Sequence, residues 1–192
     1  MSKKWNNSQA LTEYLMSAKN DEVRGVTFTV PNIGIAIPDL YVHQKEALNE
    51  LTSRPVSTIL HLPTGSGKTR IALELIAAVL KQTPKTKIIW ASYPTTLIRQ
   101  SMTRLVQFSE KLPKNLTFCW AQSDAKSRSN STLVEQHQVI FALRGTLTGL
   151  LADVRDRSSQ STVRAAMLRH TKFLIIYDEC QQLGARQLQR AW

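Results

Sequence analysis

Apolar residues in this chain fall into blocks with two different periods. Short continuous runs, "KIIWASY", "LTFCWA", "QVIFAL" and "KFLIIY", have strand length and read as strands of a buried parallel sheet. Between them lie longer stretches with apolar positions three and four apart. "TTLIRQSMTRLVQFSEK" offers Leu97, Met102, Leu105, Val106 and Phe108 to a core, and "KTRIALELIAAVLK" offers Ile71, Leu75, Ala78 and Val79. "LYVHQKEALNEL" is a further helix. Residues 8–19 form a short amphipathic helix with Ser8 as N-cap and Leu11, Tyr14, Leu15 and Ala18 facing inward. "VTFTV" is a strand stopped by Pro31, and "STILHL" is a short strand ahead of a Gly-rich turn. "DAKSRSNSTL" and "RDRSSQST" are polar loops. Helices are predicted from Thr146 to Asp156, in a short piece before "KFLIIYDE", and in the closing "LGARQLQRAW". Strands alternating with helices predict an α/β fold, a parallel sheet with helices on both faces. Residues 1–37 read as an N-terminal extension and 38–192 as one domain. No internal repeat is visible.

The turn between "STILHL" and the next helix reads "HLPTGSGKT". A strand, a Gly-rich loop ending Gly-Lys-Thr and a helix are the order a phosphate-binding loop requires. Backbone N–H groups and the positive end of the helix would hold a triphosphate. Gly65 and Gly67 let the chain curl close to phosphate oxygens. Lys68 reaches the β- and γ-phosphates, and the Thr69 hydroxyl is a Mg²⁺ ligand. Pro63, Thr64, Gly65, Ser66, Gly67, Lys68 and Thr69 are the expected nucleotide contacts. Leu62 stands where the usual pattern has its first Gly.

"KFLIIYDE" supplies the other half of such a site. Asp178 and Glu179 follow an apolar strand, at the carboxyl end where open α/β sheets place ligand chemistry. Asp178 would hold Mg²⁺ through water, and Glu179 would orient and deprotonate the attacking water.

Composition sharpens the expected partner. The chain has 192 residues and a formal net charge of +11, which points to a polyanion, nucleic acid before an acidic membrane surface. Its two cysteines, Cys119 and Cys180, lie in or beside apolar strands and in no metal-like spacing, which fits a reduced cytoplasmic protein. The N-terminus lacks the apolar core of a signal peptide, and no apolar run is long enough to span a bilayer.

Four stretches together resemble the first RecA-like domain of a superfamily 2 helicase, of the DEAD/DEAH-like group that includes type III restriction-enzyme helicase subunits. "LPTGSGKT" is similar to motif I, where relatives often lack the first Gly. "YVHQKEAL" resembles the glutamine motif, "YPTTLIRQ" resembles motif Ia, and "DECQ" stands at motif II. The resemblance covers about residues 38–184 and implies a nucleic-acid-dependent ATPase. It implies that Gln44 reads the adenine edge, that Pro94, Thr95 and Thr96 touch the nucleic-acid backbone, and that Arg144 and Thr146 do so in a further motif. Tyr41 stands where relatives often carry Arg, and Gln181 where they carry His or Asp.

The resemblance also implies parts that do not follow "DECQ" here: motif III and a second RecA-like domain, whose arginine fingers are worth roughly 10³–10⁵ in rate. The expectation is therefore a C-terminally incomplete RecA-like domain that works with a second domain in cis or in trans, uses ATP and Mg²⁺, and prefers DNA to RNA. The alternatives are a non-helicase phosphate-loop NTPase or kinase, or a nucleic-acid-binding module without complete catalysis.

Overall fold

The computed structural model describes residues 2–3, 5, 7–31, 36–53, 57–121, 135–147 and 172–178. Six strands form one sheet: β1 (Ser2–Lys3), β2 (Thr27–Thr29), β3 (Lys87–Ser92), β4 (Thr117–Trp120), β5 (Val139–Leu143) and β6 (Phe173–Tyr177). Their spatial order is β1-β2-β4-β5-β3-β6. Among the described strands only the β2–β4 pairing is antiparallel, and the other pairings are parallel. The helices are α1 (Ser8–Ser17), α2 (Asn20–Val23), α3 (Val42–Ser53), α4 (Lys68–Gln82) and α5 (Thr95–Gln107), with a 3-10 turn at Ser109–Lys111. This is a mostly parallel α/β architecture.

Side chains alternate across the central strands because successive residues point to opposite faces. Ile88, Trp90, Phe118, Trp120, Val139 and Phe141 face α1, α4 and α5, which contribute Leu11, Leu15, Leu73, Ile76, Leu80, Ile98 and Met102 to the same core. Ile89, Ala91, Cys119, Ile140 and Ala142 belong to a second cluster on the other face, joined by Leu147 of a helical turn at 144–147. Full burial of such side chains is worth roughly 1.5–3 kcal/mol each, so these two layers dominate the stability.

Four local expectations change. Asn7, not Ser8, caps α1: its Oδ1 accepts from the Ala10 N–H at 2.8 Å, while Ser8 is buried inside the first turn. The buried apolar residues of α4 are Ile71, Leu73, Ile76 and Leu80, with Val79 partly buried against the core and Leu75 and Ala78 not in it, because this helix is apolar around most of its circumference and the sheet selects the face. On α5, Ile98 is buried and Leu97 is only half-buried. Residues 57–62 form no strand; Ile59 is 70% exposed, and no described strand pairs with this segment. A strand needs a neighbour to satisfy its backbone, and none of the described pairings involves this segment.

The N-terminal residues are built into this architecture. β1 pairs with β2, β2 pairs with β4, and α1 packs on α5. The Arg99 guanidinium on α5 donates to the Leu15 carbonyl through Nε at 2.8 Å. The helices expected at 146–156, before "KFLIIYDE" and in the closing segment lie outside the described residues, apart from the turn at 144–147. The two polar loops also lie outside them.

Candidate nucleotide site

The Gly-rich loop owes its shape to two glycines. Gly65 has φ +82° and Gly67 φ +87°, a left-handed region that favours glycine. Among the described residues, Asn115 is the only non-glycine with positive φ, so Leu62 needs no special backbone freedom. Leu62 acts through its carbonyl. The Lys68 ammonium donates to the carbonyls of Leu62 at 3.0 Å and Pro63 at 3.2 Å, folding the loop over its own lysine. The Ser66 hydroxyl and N–H both donate to the Pro63 carbonyl and tighten the same turn.

Helix α4 begins at Lys68 with Gly67 as N-cap and no side-chain cap. The first N–H groups of a helix have no intrahelical partner, and the macrodipole leaves partial positive charge there. The exposed end of α4 is therefore a ready anion cradle, with Lys68 beside it.

Helix α3 braces the loop from outside. Gln44 is buried; its Oε1 accepts from the Tyr41 N–H at 3.1 Å, and its Nε2 donates to the Ser66 carbonyl at 3.0 Å. His43 Nε2 lies 3.1 Å from the same carbonyl. The His43 ring lies nearly parallel to that of Tyr41, at 8° and 6.0 Å between centroids, and Tyr41 is 71% exposed.

A cleft of about 660 Å³ opens beside the loop. Thr64, Gly65, Gly67, Lys68, Thr69 and Asp178 line it together, so the loop and the first carboxylate of the expected pair stand on one cleft. The Asp178 N–H donates to the Ala91 carbonyl at 2.9 Å, which fixes the end of β6 to β3. Thr69 and Asp178 are the hard oxygen donors a Mg²⁺ ion takes, and they stand beside the anion cradle; the residues present fit ATP with its metal.

Other expected residues lie elsewhere. Gln44, Pro63 and Ser66 do not line the cleft, and Glu179 lies outside the described residues, as do Cys180 and Gln181. Pro94 is the N-cap of α5, with Thr95 half-buried and Thr96 exposed in its first turn. Arg144 is half-buried; the Tyr177 hydroxyl is pushed above its ordinary value by burial, with the nearby Arg144 charge opposing. Thr146 is 2% exposed, so its hydroxyl is withdrawn from the surface.

Sequence reasoning missed the rest of the cleft. Arg70 and Leu73 of α4, Leu97 and Arg104 of α5, Phe108, and the segment Ile37–Pro38 also line it. The adjacency of Arg70 to the Gly-Lys-Thr ending and its spacing from Glu74 were readable; its contact with Phe108 was not.

A family model described as DEAD/DEAH box helicase matches residues 41–192. Among solved structures the chain is similar to the UvsW helicase from bacteriophage T4, at 15% sequence identity and a TM-score of 0.49. That likeness covers 99% of this chain and 66% of the other, so the chain spans just under two thirds of its length. No curated protein sequence matches the chain.

Proposed function

The chain belongs to the DEAD/DEAH box helicase family, and from that premise we propose that residues 38–192 bind and hydrolyse ATP in a nucleic-acid-dependent motor. The observation that carries this reading is the convergence of the Gly65–Thr69 loop, the uncapped start of α4 and Asp178 on one cleft. The triphosphate lies on the N–H groups at the start of α4. Lys68 leaves its two loop carbonyls for the phosphate oxygens, exchanging neutral acceptors for charged ones. Thr69 and Asp178 hold Mg²⁺, which when bound neutralises phosphate charge. Glu179, next in the chain, orients the attacking water and takes its proton.

Nucleic acid contacts the backbone groups and hydroxyls around Pro94, Thr95 and Thr96, where α5 begins without a side-chain cap. Arg144 adds a cation. Thr146 is buried, so its hydroxyl does not reach the polymer in this state. A formal charge of +11 favours any polyanion, and we infer DNA ahead of RNA from the sequence resemblance alone. Full turnover requires a second RecA-like domain.

The test is steady-state ATP hydrolysis by the chain, with and without single-stranded and duplex DNA and RNA, beside Lys68→Ala and Glu179→Gln. Nucleic-acid stimulation that both substitutions abolish is the expected result. Unchanged ATP affinity in Lys68→Ala would remove the assignment.

A further inference from the structure

The phosphate loop accounts for only one end of the cleft. The remainder is walled by the apolar Ile37, Pro38, Leu73, Leu97 and Phe108, by Arg70, and by a polar stretch of α5 that includes Gln100 and Arg104. Apolar and polar side chains share this wall, and of its two guanidinium groups that of Arg70 stands two residues after the phosphate-loop lysine.

Arg70 is held from several directions. Its Nη2 donates to the Pro38 carbonyl at 2.7 Å and to Glu74 Oε1 at 2.9 Å, and its Nε donates to the same carboxylate oxygen at 3.3 Å. Its Cζ lies 5.0 Å from the centroid of the Phe108 ring. Glu74 is 8% exposed and is held in turn by the Lys111 ammonium at 2.6 Å. In-plane hydrogen bonds and an aromatic ring at the guanidinium fix both position and tilt.

Such an arginine is a poor phosphate ligand. Its charge is already paired with Glu74, and two of its three nitrogens are engaged. It still lines the cleft with 23% of its side chain exposed, and a guanidinium is flat and polarisable. Gln44, by contrast, lies outside the cleft lining and has both ends of its amide engaged by backbone. A nucleotide whose phosphates rest on the start of α4 would set its base against this wall, where Arg70 and Phe108 both line the cleft. We propose that Arg70 is the platform on which the nucleobase stacks, with Glu74 and Phe108 as positioning residues that set its plane. Ile37 and Leu73 shield the ring from water. This inference rests on the nucleotide reading above.

Displacement of a ribose-labelled fluorescent ATP by ATP or by inorganic tripolyphosphate, with Mg²⁺ and the full chain, separates base from phosphate contacts. Arg70→Ala is expected to weaken ATP about tenfold and leave tripolyphosphate unchanged. Arg70→Lys keeps the charge and the Glu74 pair but loses the plane, and is expected to show the same selective loss. Phe108→Leu keeps an apolar side chain under the guanidinium and should weaken ATP alone, by a smaller factor. Equal loss for both ligands in Arg70→Ala and Arg70→Lys would make Arg70 a phosphate ligand and overturn the proposal, as would unchanged ATP affinity in both. Lys68→Ala should weaken both ligands; if it weakened neither, the nucleotide reading itself would fail, whatever Arg70 did.

Discussion

Gln44 and Ser66 are joined by a hydrogen bond of 3.0 Å, from a side-chain amide on α3 to a carbonyl of the phosphate loop. The Gln44 amide therefore ties the loop to the helix that precedes it. Gln44→Ala removes the donor to Ser66 and the acceptor for the Tyr41 N–H. Unfolding in urea should show a loss of about 1–3 kcal/mol, with a severalfold loss of ATP affinity. Gln44→Glu keeps the acceptor but sets a carboxylate against a carbonyl, so it should bind ATP no better than Gln44→Ala.

The two loop glycines should differ. At Gly65 an added Cβ meets nothing within 4 Å, so Gly65→Ala carries only the left-handed backbone cost of about 1–2 kcal/mol. At Gly67 the same Cβ lands inside the contact radius of Gln44 Nε2, an atom already bonded to Ser66. Gly67→Ala should therefore be the more damaging of the two. A double-mutant cycle with Gln44→Ala checks this: the clash term should vanish and the backbone term remain.

Glu74 is a buried carboxylate between two cations, at 2.9 Å from Arg70 and 2.6 Å from Lys111. Glu74→Ala leaves Arg70 half-buried without its partner and should destabilise the protein by about 1.5–3 kcal/mol. Lys111→Ala should cost less, about 1 kcal/mol or below, because the lysine side chain is 37% exposed. Thermal melts of the two variants test the order.

Alkaline pH should weaken the fold through Cys119. Burial pushes its thiol from 9.0 to about 12. Between those values the unfolded chain releases the thiol proton while the folded chain keeps it, so stability is intact below pH 9 and falls as pH rises towards 12. Burial raises the Tyr177 hydroxyl too, with the same sign. Desolvation lowers the Lys87 ammonium, which acts in the opposite sense just below its ordinary value of 10.5. Denaturant midpoints at pH 8 and pH 10 should differ less in Cys119→Ala than in the parent. An equal drop in both would show that Cys119 is not the source.

Local signals carried the parts of this molecule that depend on few neighbours. β3, β4, β5 and β6 are continuous apolar runs, the loop is a short Gly-rich motif ahead of a helix, and Asp178 stands at a strand end, so pattern alone located them. Residues 57–62 have strand-like composition, but a strand exists only when another backbone lies alongside. On α4 nearly every turn is apolar, and only the sheet decides between Leu73 and Leu75. Arg70 illustrates the limit for the site: the helix spacing to Glu74 is visible in sequence, whereas Phe108 and Pro38 arrive from other elements.

The interleaving of β2 with β4 has a consequence for biosynthesis. Leu11, Leu15 and Phe28 are synthesised before α5 and β4, against which they pack. Until the chain has grown through Trp120, these side chains have no native surface to cover them. A segment made before α5 and β4 is thus among the later parts to reach its place. The interval between the two is a window in which the nascent chain shows apolar surface to chaperones and to its own copies.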